Sequence, residues 1–553
     1  MKKKKNFAPI LVLIALFFSA HSDACTNLIV GKNASVDGSV LVSYSSDDYG
    51  MFGSLWHFAA GTHAKGTKRA IYEWETNKYL GEIDEAEVTY SVIGNINEFQ
   101  VTIAETTFGG RLELVDSTGV IDYGSLIYIA LQRSRTAREA ITVMTDLVKQ
   151  YGYCSEGESF TVADKKEAWI LELIGKGVGN RGAVWVAQRV PDDCISAHAN
   201  QSRIHKFPLK DKQNCIYSPD VISFARRKGW FTGKNSDFDF ANAYCPAGFG
   251  ELRYCEARVW SFFNKWGDGM DAYLDYVKGE KTGLNPMPLF LKPNRKLRVQ
   301  DVENAMRDHY EGTPFDITNE VGAGPYNAPY RPTPLSWEYD GKMYFNERPI
   351  STQQAAFVFV SQMRSSLPDA IGGILWFGND DANMIAFTPV YCCATTVPEC
   401  YSQKTADGVS FSFKSAFWVC NWVSNMVYPR YSMLFEAVKD AREELEENYF
   451  AQQPRIEAHA LALLKQKPEQ ARDYLNQYTT TKAQEMLHRW QKLGEYIIVK
   501  YNDQAIKPDT KGCFSRTTEG LGAPVKRVGF PDAYRKIIVE KTGTRYLLPV
   551  LQK

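Results

Sequence analysis

Hydrophobic residues gather along the first two thirds of the chain in short runs that are separated by turn-forming residues. Five such runs, rich in Val, Ile, Phe and Trp, have the composition of buried β-strands. They cover residues 88–93, 101–105, 160–163, 169–174 and 184–190. Residues 137–151 instead place apolar side chains three or four positions apart, which predicts an amphipathic helix. The pattern favours an α+β fold in which helices flank packed sheets.

The last third of the chain has a different pattern. Residues 433–449, 456–466 and 468–500 are rich in Ala, Leu, Glu, Gln and Lys at helical spacing. Acids and bases lie three or four positions apart, which is typical of exposed helix faces. We therefore expect a helical extension over residues 429–553, packed on a domain formed by residues 25–428. The same helices are candidates for contacts between copies, so a homo-oligomer stays open.

The chain begins with the pattern of a secretory signal peptide. Lys2 to Lys5 precede an apolar run over residues 10–20, and small residues lead up to Cys25. The run is too short for a membrane anchor, so we expect residues 1–24 to be removed and the protein to be exported, periplasmic or secreted.

Composition and charge limit the classes of function that this chain can have. Hydrophobic residues make up 44% and charged residues 23% of the 553 residues, as in ordinary globular proteins. The 64 Lys and Arg balance 64 Asp and Glu, so charge does not favour nucleic-acid binding. In an oxidising compartment, the ten cysteines besides Cys25 would allow several disulfides, whose connectivity the sequence does not define.

Removal of residues 1–24 would leave Cys25 with both a thiol and a free α-amine. An amine with a pKa of about 7.7–8.0 is partly unprotonated near neutral pH and can accept the proton of the thiol. Two alternatives compete: Cys25 is a lipid attachment site of a surface protein, or cleavage falls elsewhere, for example after Ala20. The sequence after Cys25 favours the interpretation as a nucleophile, since it predicts a β-hairpin that starts at this residue. The hairpin is predicted from residues 26–30, 31–38 and 40–42.

These residues resemble a known family. The chain is similar to bacterial dipeptidases of the dipeptidase A type, the sixty-ninth cysteine-peptidase family of the N-terminal nucleophile superfamily, from Cys25 to about Tyr401. The motifs that carry the likeness are CTNLIVGKNASVDGSVL, GNINEFQVTIAETTFGGR, ESFTVADKKEAWILEL, VWVAQRVPDD, SAHANQSRI, ARVWSFF and GGILWFGNDDANMIAFTPVY. The resemblance implies a four-layer αββα sandwich and small peptide substrates, namely dipeptides with a free N-terminus. The lack of metal-binding and phosphate-loop motifs predicts no cofactor.

The resemblance also implies roles for residues around the thiol. Asp47, with Asp48 next in line, matches the acid that orients the N-terminus in related penicillin acylases and bile-salt hydrolases, although both residues would also suit a solvated loop. Tyr44 stands where many relatives carry an arginine, and it would hydrogen-bond or simply pack.

The predicted oxyanion donor is Asn200. Thr107 stands where relatives often place a second asparagine. Because a hydroxyl is a poorer replacement for the amide, a backbone N–H is the alternative second donor. Arg258 matches an arginine near the nucleophile and would stabilise the thiolate or a substrate carboxylate, or else form a surface ion pair. Charge complementarity makes Arg111 a candidate for the substrate carboxylate and Glu105 a candidate for the substrate ammonium.

The eight histidines show no metal-binding spacing, so no metal is predicted. His198 lies near Asn200 in sequence, and a papain-like Cys/His pair is therefore not excluded. The sequence predicts an exported cysteine dipeptidase. The alternatives are a penicillin- or bile-salt-type acyl-amide hydrolase of the same superfamily and a lipid-anchored surface protein without enzymatic activity.

Overall fold

The computed structural model describes residues 25–518 and 520–549. Its strands form two large antiparallel sheets and several two-stranded ribbons, listed here in chain order: β1 (Thr26–Val30), β2 (Val40–Asp47), β3 (His57–Phe58), β4 (Gly61–Thr62), β5 (Lys68–Tyr72), β6 (Tyr79–Asp84), β7 (Val88–Thr89), β8 (Val92–Ile93), β9 (Ile96–Asn97), β10 (Thr102–Gly109), β11 (Gly157–Ala163), β12 (Ala168–Gly175), β13 (Ala183–Arg189), β14 (Ile195–His198), β15 (Cys215–Tyr217), β16 (Ser336–Tyr339), β17 (Lys342–Phe345), β18 (Ala355–Met363), β19 (Gly373–Asn379), β20 (Thr388–Tyr391), β21 (Ala505–Ile506), β22 (Asp509–Thr510), β23 (Cys513–Phe514) and β24 (Lys526–Arg527). The six-stranded sheet has the order β14-β1-β2-β18-β19-β20, and the eight-stranded sheet has the order β15-β13-β12-β11-β10-β9-β8-β3.

Helices occupy the connections between strands and most of the last third of the chain: α1 (Tyr123–Arg133), α2 (Ala137–Tyr151), α3 (Val221–Arg227), α4 (Phe240–Tyr244), α5 (Ala257–Trp266), α6 (Leu274–Lys278), α7 (Val299–Met306), α8 (Asp369–Gly372), α9 (Ala416–Val427), α10 (Tyr431–Gln466), α11 (Pro468–Tyr501) and α12 (Asp532–Thr542). A π-helical segment, Glu251–Glu256, leads directly into α5. The mixture of antiparallel sheets and helices confirms the α+β class.

The predicted hairpin at the start of the domain is confirmed. Strands β1 and β2 pair antiparallel with Asn27 opposite Tyr44, and the turn between them contains Gly38 at φ 78°. A φ in this region is readily adopted by glycine, which has no Cβ to clash with the backbone. Strand β1 lies between β14 and β2, so its first residues are held on both sides.

The two large sheets face each other across the start of β1. Strand β10 contacts both β1 and β2, and the Asn27 amide donates to the backbone carbonyl of Glu105 at 2.9 Å. Helices α1 and α2 pack on the eight-stranded sheet, whereas α9 and α11 pack on the six-stranded one. Cys25, the residue before β1, therefore lies where the two sheets meet.

The other strand and helix predictions also agree with the structure. The helix predicted over 137–151 is α2, which is capped by the Thr136 side chain and ends before Gly152 at φ 81°. The runs at 101–105, 160–163, 169–174 and 184–190 correspond to β10, β11, β12 and β13. The run at 88–93 is divided into the short strands β7 and β8, which pair with different partners.

The C-terminal extension differs in detail from its prediction. Two predicted helices merge into α10, which continues through Pro454, while α11 follows after a break at Lys467 and packs on β20. The buried residues Tyr449 and Ile456, one on each side of the proline, hold this part of α10 against the domain. After Tyr501, short ribbons and α12 replace the long helices.

The expected disulfides are not supported. All eleven cysteines lie in the described part of the chain, and each is a free thiol. Six of them are buried and pack as small apolar side chains, for example Cys392, whose Sγ donates to the Asp369 carbonyl at 3.1 Å. Among the described residues, no helix combines the length and apolar character needed to cross a membrane.

Candidate active site

The Cys25 thiol lies between the two sheets, with one polar neighbour from each. Its Sγ is 3.6 Å from the Tyr44 hydroxyl on β2 and 3.5 Å from Oε1 of Glu105 on β10. Tyr44 also donates to that same Glu105 oxygen at 2.6 Å. Because Asn27 ties β1 to the backbone of Glu105, the thiol is held on a rigid element beside an acid.

The surroundings of Cys25 favour the protonated thiol. Burial raises its pKa well above the ordinary value, and the nearby charges of Glu105 and Asp47 raise it further. Hydrogen bonds from the backbone of Asp47 and from Tyr44 act in the opposite direction but are smaller influences. The thiol is therefore not a preformed thiolate, and an attack on a carbonyl requires a base to remove its proton.

A second acid, Glu158 on β11, lies against Glu105. Strand pairing sets Thr107 opposite Glu158, and the Thr107 hydroxyl donates to Oε1 of Glu158 at 2.7 Å. The two carboxyls interact with each other, Oε2 of each is buried without a separate donor among the described residues, and burial raises the pKa of both groups. The hydroxyl proton of Thr107 is thus directed to Glu158 rather than towards the thiol.

Asp47, at the end of β2, is buried and forms an ion pair. Nη2 of Arg348 lies 2.6 Å from Asp47 Oδ2, and Ser45 donates to the same oxygen at 3.1 Å. Burial raises the pKa of Asp47, although the charge of Arg348 opposes the shift. The pair fixes the carboxylate beside the first residues of β1, whereas Asp48 is partly exposed and accepts from the backbone N–H of Gly50.

Arg258 on α5 is fully buried and forms hydrogen bonds to the start of β1. Its Nη1 donates to the Cys25 carbonyl at 2.7 Å and to Thr26 Oγ1 at 2.8 Å. Its Nη2 donates to the Ala199 carbonyl and to Oδ1 of Asn200, both at 3.0 Å, and Nε donates to the Tyr254 carbonyl. These contacts use all five N–H donors of the guanidinium. This buried geometry does not match a surface ion pair, whereas stabilisation of the thiolate or of a substrate carboxylate by Arg258 stays a prediction.

Asn200 follows β14 in a left-handed conformation with φ 63°, a region in which asparagine is enriched. Its Nδ2 donates to the Thr107 carbonyl at 2.8 Å, while Oδ1 accepts from Arg258. An amide nitrogen carries two protons, so one N–H remains for a developing oxyanion. The predicted oxyanion donor is thus anchored at the nucleophile through Arg258.

Two predicted candidates have partners away from the thiol. Arg111 donates to the Ala243 carbonyl at 2.8 Å and stacks on Trp230. His198 is buried with Nδ1 at 2.7 Å from the Thr106 hydroxyl and Nε2 at 2.8 Å from the Thr161 hydroxyl. Both ring nitrogens are therefore engaged by threonines, which does not match a papain-like Cys/His pair.

Two residues at the site were not predicted from the sequence. Arg348 is about three hundred positions from its partner Asp47, in a loop without a regular pattern. Glu158 had a detectable sequence signal, since it is a charged residue at the start of the run ESFTVA, which forms a fully buried strand. No group of three or more His, Cys, Asp or Glu in residues 25–518 and 520–549 is arranged to hold a metal ion.

A half-buried thiol at the start of a strand, with a fixed amide donor and acids beside it, suits a hydrolase that uses a cysteine nucleophile. The model of Peptidase family C69 matches residues 24–444, and the chain belongs to this family and is a cysteine peptidase.

Curated relatives agree with this assignment. The chain is 28% identical to a probable dipeptidase of Salmonella dublin over 71% of this chain and 85% of that protein. It is 25% identical to a probable dipeptidase of Latilactobacillus sakei, over 77% and 85%, and 22% identical to dipeptidase A of Lactobacillus helveticus, over 76% and 85%.

Proposed function

We propose that this peptidase is an exported dipeptidase in which Cys25 becomes the N-terminal residue and its own α-amine acts as the base. The dipeptidase names of the relatives support the substrate class. The apolar run and small residues before Cys25 support export, although residues 1–24 lie outside the described residues. Helices on both large sheets support a four-layer αββα fold of the N-terminal nucleophile type.

The observation that carries the choice of substrate is the acid beside the nucleophile. A reacting carbonyl carbon approaches its nucleophile to roughly 3–3.5 Å. The α-nitrogen of the same residue is about 2.5 Å from that carbon, because the N–Cα and Cα–C bonds of about 1.46 and 1.52 Å meet near 111°. An α-ammonium next to the scissile bond therefore falls within reach of Glu105, whose Oε1 is 3.5 Å from Sγ.

The same geometry argues against the acyl-amide alternative. Acyl groups of the bile-acid type have no ammonium next to the reacting carbonyl. They would leave the buried Glu105 facing apolar atoms, which is costly for a charged group. A peptide with a free N-terminus satisfies this acid, and a blocked one does not.

The reaction then proceeds by acyl transfer. The Cys25 amine takes the thiol proton as Sγ forms a bond to the scissile carbonyl carbon, and the oxyanion is stabilised by the remaining N–H of Asn200. The resulting ammonium of Cys25 gives its proton to the leaving nitrogen as the C–N bond breaks, which leaves a thioester. Water, deprotonated by the same amine, attacks the thioester and releases the acid and the free thiol.

Turnover and mass spectrometry test this proposal together. We expect the active protein to begin at Cys25 without a lipid mass, and to cleave free dipeptides at least about 10³-fold faster than their N-acetyl forms, penicillins or bile-acid amides. Cys25→Ala should abolish turnover, whereas Cys194→Ala, which removes another half-buried thiol, should keep it. Active protein with a different first residue, or a preference for acyl amides, would contradict the proposal.

A further inference from the structure

Glu105 and Glu158 form a buried pair of acids that lies next to the nucleophile. They are only 2% and 1% exposed and lie on the same face of the neighbouring strands β10 and β11. Tyr44 donates to Oε1 of Glu105, and Thr107 donates to Oε1 of Glu158. For Oε2 of each, the described part of the chain provides no donor other than the opposite carboxyl.

The contact between the two carboxyls requires that the pair carries one proton. Two carboxylate oxygens repel each other, and a hydrogen bond between them requires one proton. Glu105 accepts from Tyr44 and from the Cys25 thiol, whereas Glu158 has one donor, Thr107. Since each donor stabilises the ionised form, the negative charge belongs on Glu105 and the proton on Glu158. Burial, which raises the pKa of Glu158 well above its ordinary value, agrees with this distribution.

We propose that Glu158 is a protonated positioning residue, and that the hydrogen bond it donates holds one negative charge on Glu105 as the receptor for the substrate's α-ammonium. This inference rests on the proposed dipeptidase function. It assigns substrate selection to a pair of acids of which only Glu105 stands near the thiol.

The groups that face the pair suit a cationic ligand. Tyr44 and the thiol adjoin Glu105, and further acids and phenols act on one or both carboxyls. These further groups are Glu75, Tyr123, Tyr128, Tyr153 and Glu156. All of them are neutral or negative, so an ammonium entering beside Glu105 meets favourable potential. The two buried arginines nearby are directed elsewhere, Arg258 to backbone carbonyls and Arg348 to Asp47.

Two substitutions separate the role of the hydrogen bond that Glu158 donates from the role of the volume of its side chain. In Glu158→Gln, an amide N–H replaces the acid O–H, and we expect KM for a free dipeptide within about threefold of the wild-type value. Glu158→Leu leaves Glu105 without this donor, and KM should rise by about 10- to 100-fold, as for a lost hydrogen bond to a charged group, while kcat changes less. A desamino substrate with the same scissile bond should show the same kcat/KM in wild type and in Glu158→Leu. Equal KM values for the two variants, or equal losses on both substrates, would overturn the proposal.

The pH profile gives a second kinetic readout. Burial raises the pKa of Glu105, so KM should increase as the pH falls and this acid takes a second proton onto the pair. The increase should persist in Glu158→Gln, whose Glu105 still titrates, and should be absent with the desamino substrate. An acid limb of KM that is the same for both substrates would contradict ammonium recognition by Glu105.

An infrared measurement tests the proton without any turnover. The difference spectrum of wild type minus Glu158→Gln at neutral pH should contain the carbonyl stretch of a protonated carboxylic acid, and the folded state of both proteins can be checked by their thermal transitions. If that band is missing, Glu158 is ionised and the inference fails, even if dipeptides are cleaved. If the band is present but no dipeptide is cleaved, the proposed function fails instead.

Discussion

Two of the regions that bury charged side chains differ in how those side chains are paired. Between the six-stranded sheet and α10, acids meet arginines: Arg364 binds Glu457 through two hydrogen bonds of 3.0 and 2.7 Å, and Arg307 Nη2 lies 2.5 Å from Glu446 Oε1. Beside Cys25, the acid Glu105 faces a thiol, a phenol and another acid. In the first region Glu457 and Glu446 each bind an arginine, whereas Glu105 has no such cation beside it among the described residues.

The difference indicates what each region is for. A buried ion pair with complete hydrogen bonding fixes how two elements pack, and removal of one partner leaves an uncompensated charge. A buried acid without a cation keeps a proton or awaits a positive ligand, and such groups cluster at functional sites. The ion pairs of α10 therefore hold the C-terminal extension on the domain, whereas the acids beside Cys25 are suited to keep a proton or to bind a cation.

The largest effect on stability is expected at the balanced region. Glu457→Ala leaves the guanidinium of Arg364 buried without its partner and should destabilise the protein by about 3–5 kcal/mol. Denaturant unfolding measures the loss. Activity per folded molecule should stay near the wild-type value, since Glu457 lies on α10 and contacts Arg364, Tyr391 and Gln453 rather than the thiol.

An exposed pair provides the matched control for this substitution. Lys492 and Glu495 on α11 are 56% and 58% exposed, and Glu495→Ala should cost no more than about 0.5 kcal/mol. Similar losses in Glu457→Ala and Glu495→Ala would show that the buried pair does not hold the extension in place.

An intermediate effect is expected at Arg258, which links the site to the fold. Lysine keeps the charge but has three donors on one nitrogen, so Arg258→Lys cannot hold the Cys25 carbonyl, the Ala199 carbonyl and Asn200 together. We expect kcat to fall by about 10- to 100-fold because the nucleophile and the oxyanion donor lose their common support. Steady-state kinetics measure the loss. A rise in KM alone would instead place Arg258 in substrate binding.

Local signals were sufficient for much of the fold, including the hairpin that begins next to Cys25. The β-rich runs on both sides of the turn-rich segment 31–38 predicted the β1–β2 hairpin, and the spacing of residues 137–151 predicted α2 with its bounds. Both patterns depend on neighbours within a few residues, which is the range over which side-chain periodicity reports burial. The long helix α10 was less predictable, because Pro454 normally interrupts a helix and only tertiary packing carries the helix past it.

Contacts between distant segments were the part that the sequence did not reveal. Asp47 meets Arg348 and Cys25 meets Arg258 only because separate elements converge on the start of β1. The hydrogen-bond partners of Thr107 were equally hidden, since a hydroxyl suits an oxyanion or a neighbouring acid, and only the β10–β11 register sets it opposite Glu158. Residue types can nominate such groups, but their proton donors and acceptors are decided by the fold.

The smallest effect is expected at His198, which is buried near the acids yet belongs to neither region. Burial lowers the pKa of its imidazole to about 3, so it is neutral in the folded state, whereas in the unfolded chain it takes up a proton below about pH 6.5. Its depressed pKa therefore costs stability as the pH falls from 6.5 towards 3, about 1.4 kcal/mol at pH 5.5. His198→Gln should lose this part of the pH dependence of unfolding between pH 7.5 and 5.5, while the pH profile of kcat/KM keeps its shape. Parallel unfolding curves for the two proteins would show that folding does not lower the pKa of His198. A shifted kinetic profile would show that this imidazole titrates during catalysis.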